Sequence, residues 1–586
     1  MSTLQLRPAR VRKLAPEIAV ARRRRLPASV RLPLACALLT LAVGAILYFF
    51  GPPGVDRAAH VYHTTQFEQH GWRVWNNYWY AGRYELLNYS ILFYPMAAVA
   101  GIGTVVLASL AAGTALFATI VQSVPVRRGR GWPALAFAIS WPATLIAGQY
   151  PFMLGAAFAM AALLALIRHR VITALAVTAL TALTSPLAFL LLTVVLAGLA
   201  IGAGRDLFQR PRARLAGAGL LLLAGAEVMV LRLFPVEGRF PFGLGDLAWL
   251  LLFVAVGTVA ARSVPMLRGI FIAYGAAALL VWVFPSGVGG NFERLADYWA
   301  SALLLLAYAV RPQPVRRGAL LVLAVAVIAQ AVPIIRMTDG GLQERADKAS
   351  FWSGAVQFLT EHADPNYRVE AVSTWGHWES YHLAQADIPL TRGWFRQDDF
   401  PINLPLYDGA LDPASYQRWI SSLAVRYVVL PRDELDYSSR KEAEILALGR
   451  GSLPFLRFVH RDPHVDIYQV INPTPLLTLA QATGPTVTDY DQPSVIRFDA
   501  TSLALWLPSA GSYDLRVRYT PFWGASDPVG VCIAPGANGM TRLTSSHGGP
   551  VTLQFDLTLA RSTSQALGTA APACAATPPN AVSTGH

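Results

Sequence analysis

Charge is scarce in this chain. Of 586 residues only 14% are Asp, Glu, Lys or Arg, while 54% are hydrophobic. That balance excludes a protein soluble over its whole length and points to a polytopic membrane protein with an attached water-soluble part. Lysine stands only at Lys13, Lys348 and Lys441, so the formal charge of +13 is carried almost wholly by arginine. Those arginines cluster in short segments between apolar runs. They read as topology signals rather than as a nucleic-acid surface, and no nucleic-acid partner is expected. Cysteine is nearly absent too: three residues exclude a disulfide-built scaffold. Cys36 lies in the first apolar run, and Cys532 and Cys574 are free to pair or to stay as thiols if the C-terminal region faces an oxidising exterior.

Long apolar runs are what the chain has instead. They recur at 30–50, 91–123, 132–149, 150–167, 171–185, 186–203, 215–234, 247–261, 270–285, 296–310 and 319–335. About eleven transmembrane helices follow, several of them short. The first follows Arg22 to Arg25 and has no small-residue cleavage pattern after it, which predicts an uncleaved signal anchor with a cytoplasmic N-terminus. Connectors rich in arginine (127–130, 168–170, 205–214, 262–268, 311–317) alternate with connectors that carry little positive charge. The turns at 149–151 and 184–186 carry no charge and rest on proline as a punctuator. An odd count sends the C-terminus outside, which predicts a multi-pass plasma-membrane protein with extracytoplasmic C-terminal domains.

Five regions follow: a basic cytoplasmic N-terminus (1–29), a transmembrane domain (30–336), an α/β domain (337–472), a β-sandwich with period-two strands (473–569) and a small, Pro-rich disordered tail (570–586). Glu227 sits inside an apolar run, where a charge costs about 2.5 to 3.5 kcal/mol. It should face a protein partner or be protonated.

The loop after the first run concentrates the chemistry. Asp56, His60, His63, Phe67 and His70 recur at helical spacing and share one face beside the membrane, where a lipid-linked headgroup would lie. Asp56 is equally well placed to cap that helix, and the two imidazoles could be ordinary surface histidines. A carboxylate with imidazoles also supplies metal-ligand types, so a divalent metal is the alternative to the expectation of no cofactor. Trp72, Trp75 and Trp79 follow, with Arg83 and Glu85. They read either as an interfacial belt or as rings and polar neighbours that hold a sugar. A second outward connector, 285–294, is glycine-rich and ends in Asn291, Glu293 and Arg294. Its backbone N–H groups and Arg294 could receive a phosphate, or it could be a flexible connector with Arg294 paired to Asp297.

Many spans, an Asp just after the first one, a juxtamembrane helix and an outward soluble tail together resemble the GT-C superfamily of membrane glycosyltransferases. Asp56-x-x-x-His60 with its aromatic stretch is similar, more narrowly, to bacterial membrane proteins labelled as related to 6-pyruvoyl-tetrahydropterin synthase, although nothing in the chain resembles a soluble pterin enzyme. The GT-C likeness covers the membrane half and implies a polyprenyl-phosphate-linked sugar as donor, a cell-envelope glycan or protein as acceptor, and Asp56 as the base. By the same reading His60, His63, the three Trp, Arg83, Glu85, Asn291, Glu293 and Arg294 contact substrate. The paired-acid form common in that superfamily is absent, since Arg57-Ala58-Ala59 follows Asp56. The competing readings are a transporter or flippase of lipid-linked saccharides, which needs a polar path through the spans, and a non-catalytic envelope scaffold.

Overall fold

The computed structural model describes residues 27–85, 89–124, 129, 131–235, 238–310, 317–483 and 492–568. The arginines at 22–25, most of the connectors at 127–130 and 311–317, and the tail from 570 onward lie outside the described residues. Every apolar run carries helix. Six helices are long and apolar enough to cross a membrane: Ser29–Phe50, Ile102–Ser123, Tyr150–Ile167, Pro186–Ala203, Pro211–Leu233 and Pro265–Val283. Three of them open on proline, whose missing N–H is no loss in a first turn. The run at 91–123 is two helices, Phe93–Ala100 and Ile102–Ser123, broken where Gly101 takes φ +81°.

Backbone hydrogen bonds tie alternate connectors into one rim. Asp56 N–H reaches the Ala147 carbonyl at 3.2 Å, Ile91 N–H the Leu183 carbonyl at 2.8 Å, and Gly290 N–H the Pro241 carbonyl at 2.9 Å. The described arginine-bearing connectors, 168–170, 205–214 and 262–268, lie at the opposite helix ends. Pro211–Leu233 has no buried residue, and among the described residues Glu227 has no hydrogen bond or ion pair. The protein partner expected for it is not found among the described residues.

The residues that follow the last apolar run pack against the first connector, as where Arg83 Nε donates to Asp398. A four-stranded sheet runs Arg368–Ala371, Val425–Pro431, Val465–Val470, Leu456–Arg461, with the first pair parallel and the others antiparallel. Beyond it two four-stranded antiparallel sheets face each other. Strict alternation in Ser502–Leu507 and Gly511–Arg518 buries Leu503, Leu505, Leu507, Tyr513, Leu515 and Val517 between them, as expected of strands with one buried face. Cys36 is a free, buried thiol, Cys532 is disulfide-bonded, and Cys574 lies outside the described residues.

Candidate functional site

Asp56 stands at the start of helix Arg57–His70 in the N-cap position, yet its side chain makes no capping bond. Two glycines set this arrangement. A Cβ on Gly54 would fall 2.5 Å from the Leu145 carbonyl oxygen, and one on Gly148, at φ +73°, would fall 2.7 Å from the Asp56 nitrogen. Only glycine lets the two connectors interlock so closely. The Asp56 carboxyl is half-buried and, among the described residues, has no hydrogen bond or ion pair. Burial pushes it up to about 6, against the opposing pull of Arg294, His377 and Arg396. A carboxylate of that kind is ionised at neutral pH and basic enough to accept a proton.

His60 is buried among rings of Tyr89, Phe93, Tyr94, Tyr150 and Trp394, with Nδ1 3.3 Å from the Tyr94 hydroxyl. Burial first, then the charges of His63 and Arg294, holds it well below the ordinary imidazole range despite a backbone contact with Gly148. It is neutral at physiological pH.

His63, Arg83 and Glu85 form a buried network. His63 Nδ1 is 2.7 Å from Glu85, Arg83 is 3.3 Å from the same carboxylate, and Arg83 Nε donates to Asp398 at 2.9 Å. The Asn76 amide also donates to Glu85, at 3.1 Å. Burial works to raise the Glu85 pKa, but His63, Arg83 and Asn76 outweigh it and bring the carboxyl down to about 2. These three residues clamp the first loop onto the α/β domain and present little surface to a sugar.

The tryptophans divide. Trp79 is fully buried, stacked on Tyr62 at 4.3 Å, and donates to the Ser380 carbonyl at 3.0 Å. Trp75 is buried against Trp523 and Phe555 of the sandwich. Both are core residues, which corrects the belt and sugar-contact readings for them: flat apolar rings lose more water contact between the domains than on the surface. Trp72 alone of the three stays open, at 53% exposure.

The glycine-rich connector is structured. Gly289–Glu293 forms a short 3₁₀ turn, held by the Tyr274 hydroxyl donating to the Phe292 carbonyl at 2.8 Å. Gly290 and Asn291 spend their N–H groups on the Pro241 and Val288 carbonyls, so these two are not free for an anion. Arg294 is. Its Nη2 donates to the neutral Asn291 amide oxygen at 2.6 Å, its Nε is buried without a partner, and no carboxylate pairs with it among the described residues. Burial, with Asp297 and Asp246 nearby, pushes Glu293 up to about 8, so it is protonated at neutral pH.

An apolar groove of about 680 Å³ lies between Ile102–Ser123, Tyr150–Ile167, Pro186–Ala203, Pro265–Val283 and Arg294–Ala309. It runs from Val124 and Val264 at the arginine-rich end to Phe152 and Leu295 at the rim, and among the described residues no ionisable side chain lines it. Its rim end lies beneath Arg294.

Sequence reading missed the far wall, which the α/β domain supplies. Arg396 is held bidentately by Asp436, at 2.8 and 3.2 Å, and His377, at φ +55°, lies 3.8 Å from the same carboxylate. Both act on the Asp56 carboxyl. The available signal was the run Thr374-Trp375-Gly376-His377-Trp378-Glu379, which mixes rings, an imidazole and an acid as the first loop does. No group of three or more His, Cys, Asp or Glu among the described residues is arranged to hold a metal ion. The groups around Asp56 are arginines and imidazoles, with no second carboxylate beside it among the described residues, a set short of the ligands a divalent cation takes.

No protein-family profile and no curated protein matches the chain. Among solved structures it is similar to the oligosaccharyltransferase of Archaeoglobus fulgidus: 13% identity over 68% of this chain and 69% of that one for the apo form, TM-score 0.43. The form tethered to an acceptor peptide with the NVT sequon gives 12% identity, 68% of each chain and TM-score 0.40. The form with an inhibitory peptide and a dolichol-phosphate gives 11%, 68% and 69%, and 0.31. At these identities and superpositions the likeness bears on neither substrate nor residue roles. The narrower likeness to pterin-synthase-related proteins finds no support.

Proposed function

We propose that this protein is an inverting glycosyltransferase that moves a sugar from a polyprenyl-phosphate-linked donor to a cell-envelope glycan or protein. The observation that carries the reading is Asp56: a half-buried carboxylate that, among the described residues, neither caps its helix nor pairs, and that feels the charges of Arg294, at the rim end of a membrane-deep apolar groove, and Arg396.

The groove would take the polyprenyl chain, whose burial there is favourable at about 0.8 kcal/mol per methylene only if it leaves water, so the donor enters from the lipid. Arg294 would then meet the phosphate. An acceptor hydroxyl attacks the anomeric carbon from the opposite face, its oxygen forms the new glycosidic bond, and its proton passes to Asp56. The bond from the anomeric carbon to the phosphate oxygen breaks, and the electron pair stays on the phosphate, where Arg294 opposes the growing charge. General-base help of this kind is worth about 10²–10⁴-fold and a cation on the leaving group about 10²–10³-fold. Neutral His60 and protonated Glu293 add no charge against the phosphate.

In this reading the chain makes eleven passes, the N-terminus is cytoplasmic and the rim faces outward, since the described arginine-bearing connectors, 168–170, 205–214 and 262–268, lie at the other helix ends. The domain boundaries given above are part of the same proposal. A groove without an ionisable side chain suits a lipid tail better than a transport path for a polar saccharide, which disfavours the flippase reading.

The test is transfer from a polyprenyl-phosphate sugar in proteoliposomes. Asp56→Asn keeps the shape and removes the base, and should lower turnover by about 10²–10⁴-fold with donor binding retained. Unchanged turnover rejects Asp56 as base.

A further inference from the structure

A second cavity lies away from Asp56, where the edge strand Arg368–Ala371 of the α/β sheet approaches the edge strand Ser494–Phe498 of the sandwich. It holds about 400 Å³, and no role in transfer explains it.

Its polar centre is an ion pair with fixed geometry. Arg426 donates to Asp364 at 2.6 Å, and both side chains are 27% exposed, so the pair is shielded yet open to the cleft. The guanidinium lies 5.6 and 5.4 Å from the ring centres of Tyr367 and Tyr427, within cation–π reach of both. The other Asp364 oxygen is anchored by the Asn366 backbone N–H at 3.0 Å. Facing this pair across the cleft are Phe498, half-buried, and Ile496, 55% exposed although apolar. Asp387 completes the rim.

Planar rings, an open aliphatic group and a rigid set of both donors and acceptors suit one class of ligand. A saccharide offers C–H faces to Tyr367 and Phe498, and its vicinal hydroxyls both donate, to Asp364 or Asp387, and accept, from Arg426. The cleft is mixed in sign: Arg368, Arg426 and Arg497 line it with Asp364 and Asp387. Arg426 is spent on Asp364 and Arg497 on Asp499, so a phosphate meets two carboxylates and one cation without a carboxylate partner among the described residues, Arg368, while a lipid chain would strand the ion pair.

The cleft is joined to the reaction site through Tyr78, which belongs to the same loop as Asp56. Its ring is 6.0 Å from Phe498, its hydroxyl donates to Asp387 at 2.9 Å, and its carbonyl accepts from Leu390 N–H at 2.8 Å.

We infer that this cleft, formed by Tyr367, Arg426, Asp364 and Phe498, is a saccharide-binding site that holds an acceptor glycan at a distance from the point of transfer. The inference rests on the proposed glycosyl transfer for its purpose but not for its test. Full-length protein in nanodiscs is titrated with a panel of neutral oligosaccharides of glucose, mannose, galactose and arabinose, and bound ligand is detected by saturation-transfer NMR. Binding by at least one member is expected, weakened about tenfold or more by Tyr367→Ala and by Arg426→Ala. Ile496→Arg, at an exposed position that leaves the fold intact, should block the mouth to the same extent. Asp56→Asn should leave binding unchanged. No binding across the panel, binding that survives Ile496→Arg and Arg426→Ala, or capture of extended peptides in place of saccharides overturns the site. Loss of binding in the cleft variants alongside unimpaired transfer by Asp56→Asn would sink the base assignment and keep the cleft.

Discussion

The Arg294 guanidinium lies 5.2 Å from the centre of the Phe152 ring, and Phe152 is at once a wall of the apolar groove. One residue pair therefore marks the place where a lipid tail ends and a charged headgroup begins. Arg294→Gln should lower kcat/KM for a polyprenyl-phosphate sugar by about 10²–10³-fold, and Arg294→Lys should recover only part of it, because a point charge lacks the planar fork. Steady-state transfer assays decide this, and an unaltered Arg294→Gln rate would remove the residue from the phosphate site.

Acid dependence follows from Asp56, whose pKa stands at about 6. The base must be deprotonated, so kcat/KM should rise as pH passes through about 6 and level off above about pH 7. Arg396 lowers that pKa. Arg396→Gln removes the cation and leaves Asp436 behind, so the acidic limb should move to higher pH. A pH–rate profile of the two proteins that superimposes would contradict the placement of Arg396.

Glu85 governs stability rather than chemistry. Its pKa is depressed to about 2 from an ordinary 4.5. Its contribution is therefore present above about pH 4.5 and is lost as pH falls toward 2. Glu85→Gln leaves His63 buried without its carboxylate and Arg83 with Asp398 alone, and should cost about 3–5 kcal/mol. Thermal unfolding in detergent at neutral pH would show it as a lowered Tm, and the penalty should shrink on acidification.

The groove makes a separate demand. Ala159 lines it at half-burial, so Ala159→Trp fills part of the volume. Donors with a full polyprenyl chain should show a KM raised about tenfold or more, while a donor with one or two isoprene units keeps its rate. Equal effects on both donors would mean that the chain does not lie there.

Much of the fold was legible because it is local. Apolar runs of membrane length and period-two strands follow from residue order over about ten to twenty positions, and those stretches carry helix and strand. Glycine-rich 285–294 was legible as special but not in its conformation: its N–H groups meet Pro241 and Val288, and only the packed connector shows that the arginine is what remains free. Trp75 and Trp79 misled for a related reason, since a ring-rich loop beside a membrane has the same composition whether its rings face lipid, sugar or another domain.

Residue order by itself determined which segments are apolar enough for a bilayer and that an acid follows the first of them, because each depends on neighbours in the chain. The tertiary structure alone decided that Arg83 meets Asp398, 315 positions away, that the charges of Arg294 and Arg396 act on Asp56, and that Asp56 has no hydrogen-bond or ion-pair partner among the described residues. Such pairings leave no periodic trace in one sequence; they arise only when packing brings distant side chains into one low-dielectric pocket, where burial and charge set what each can do.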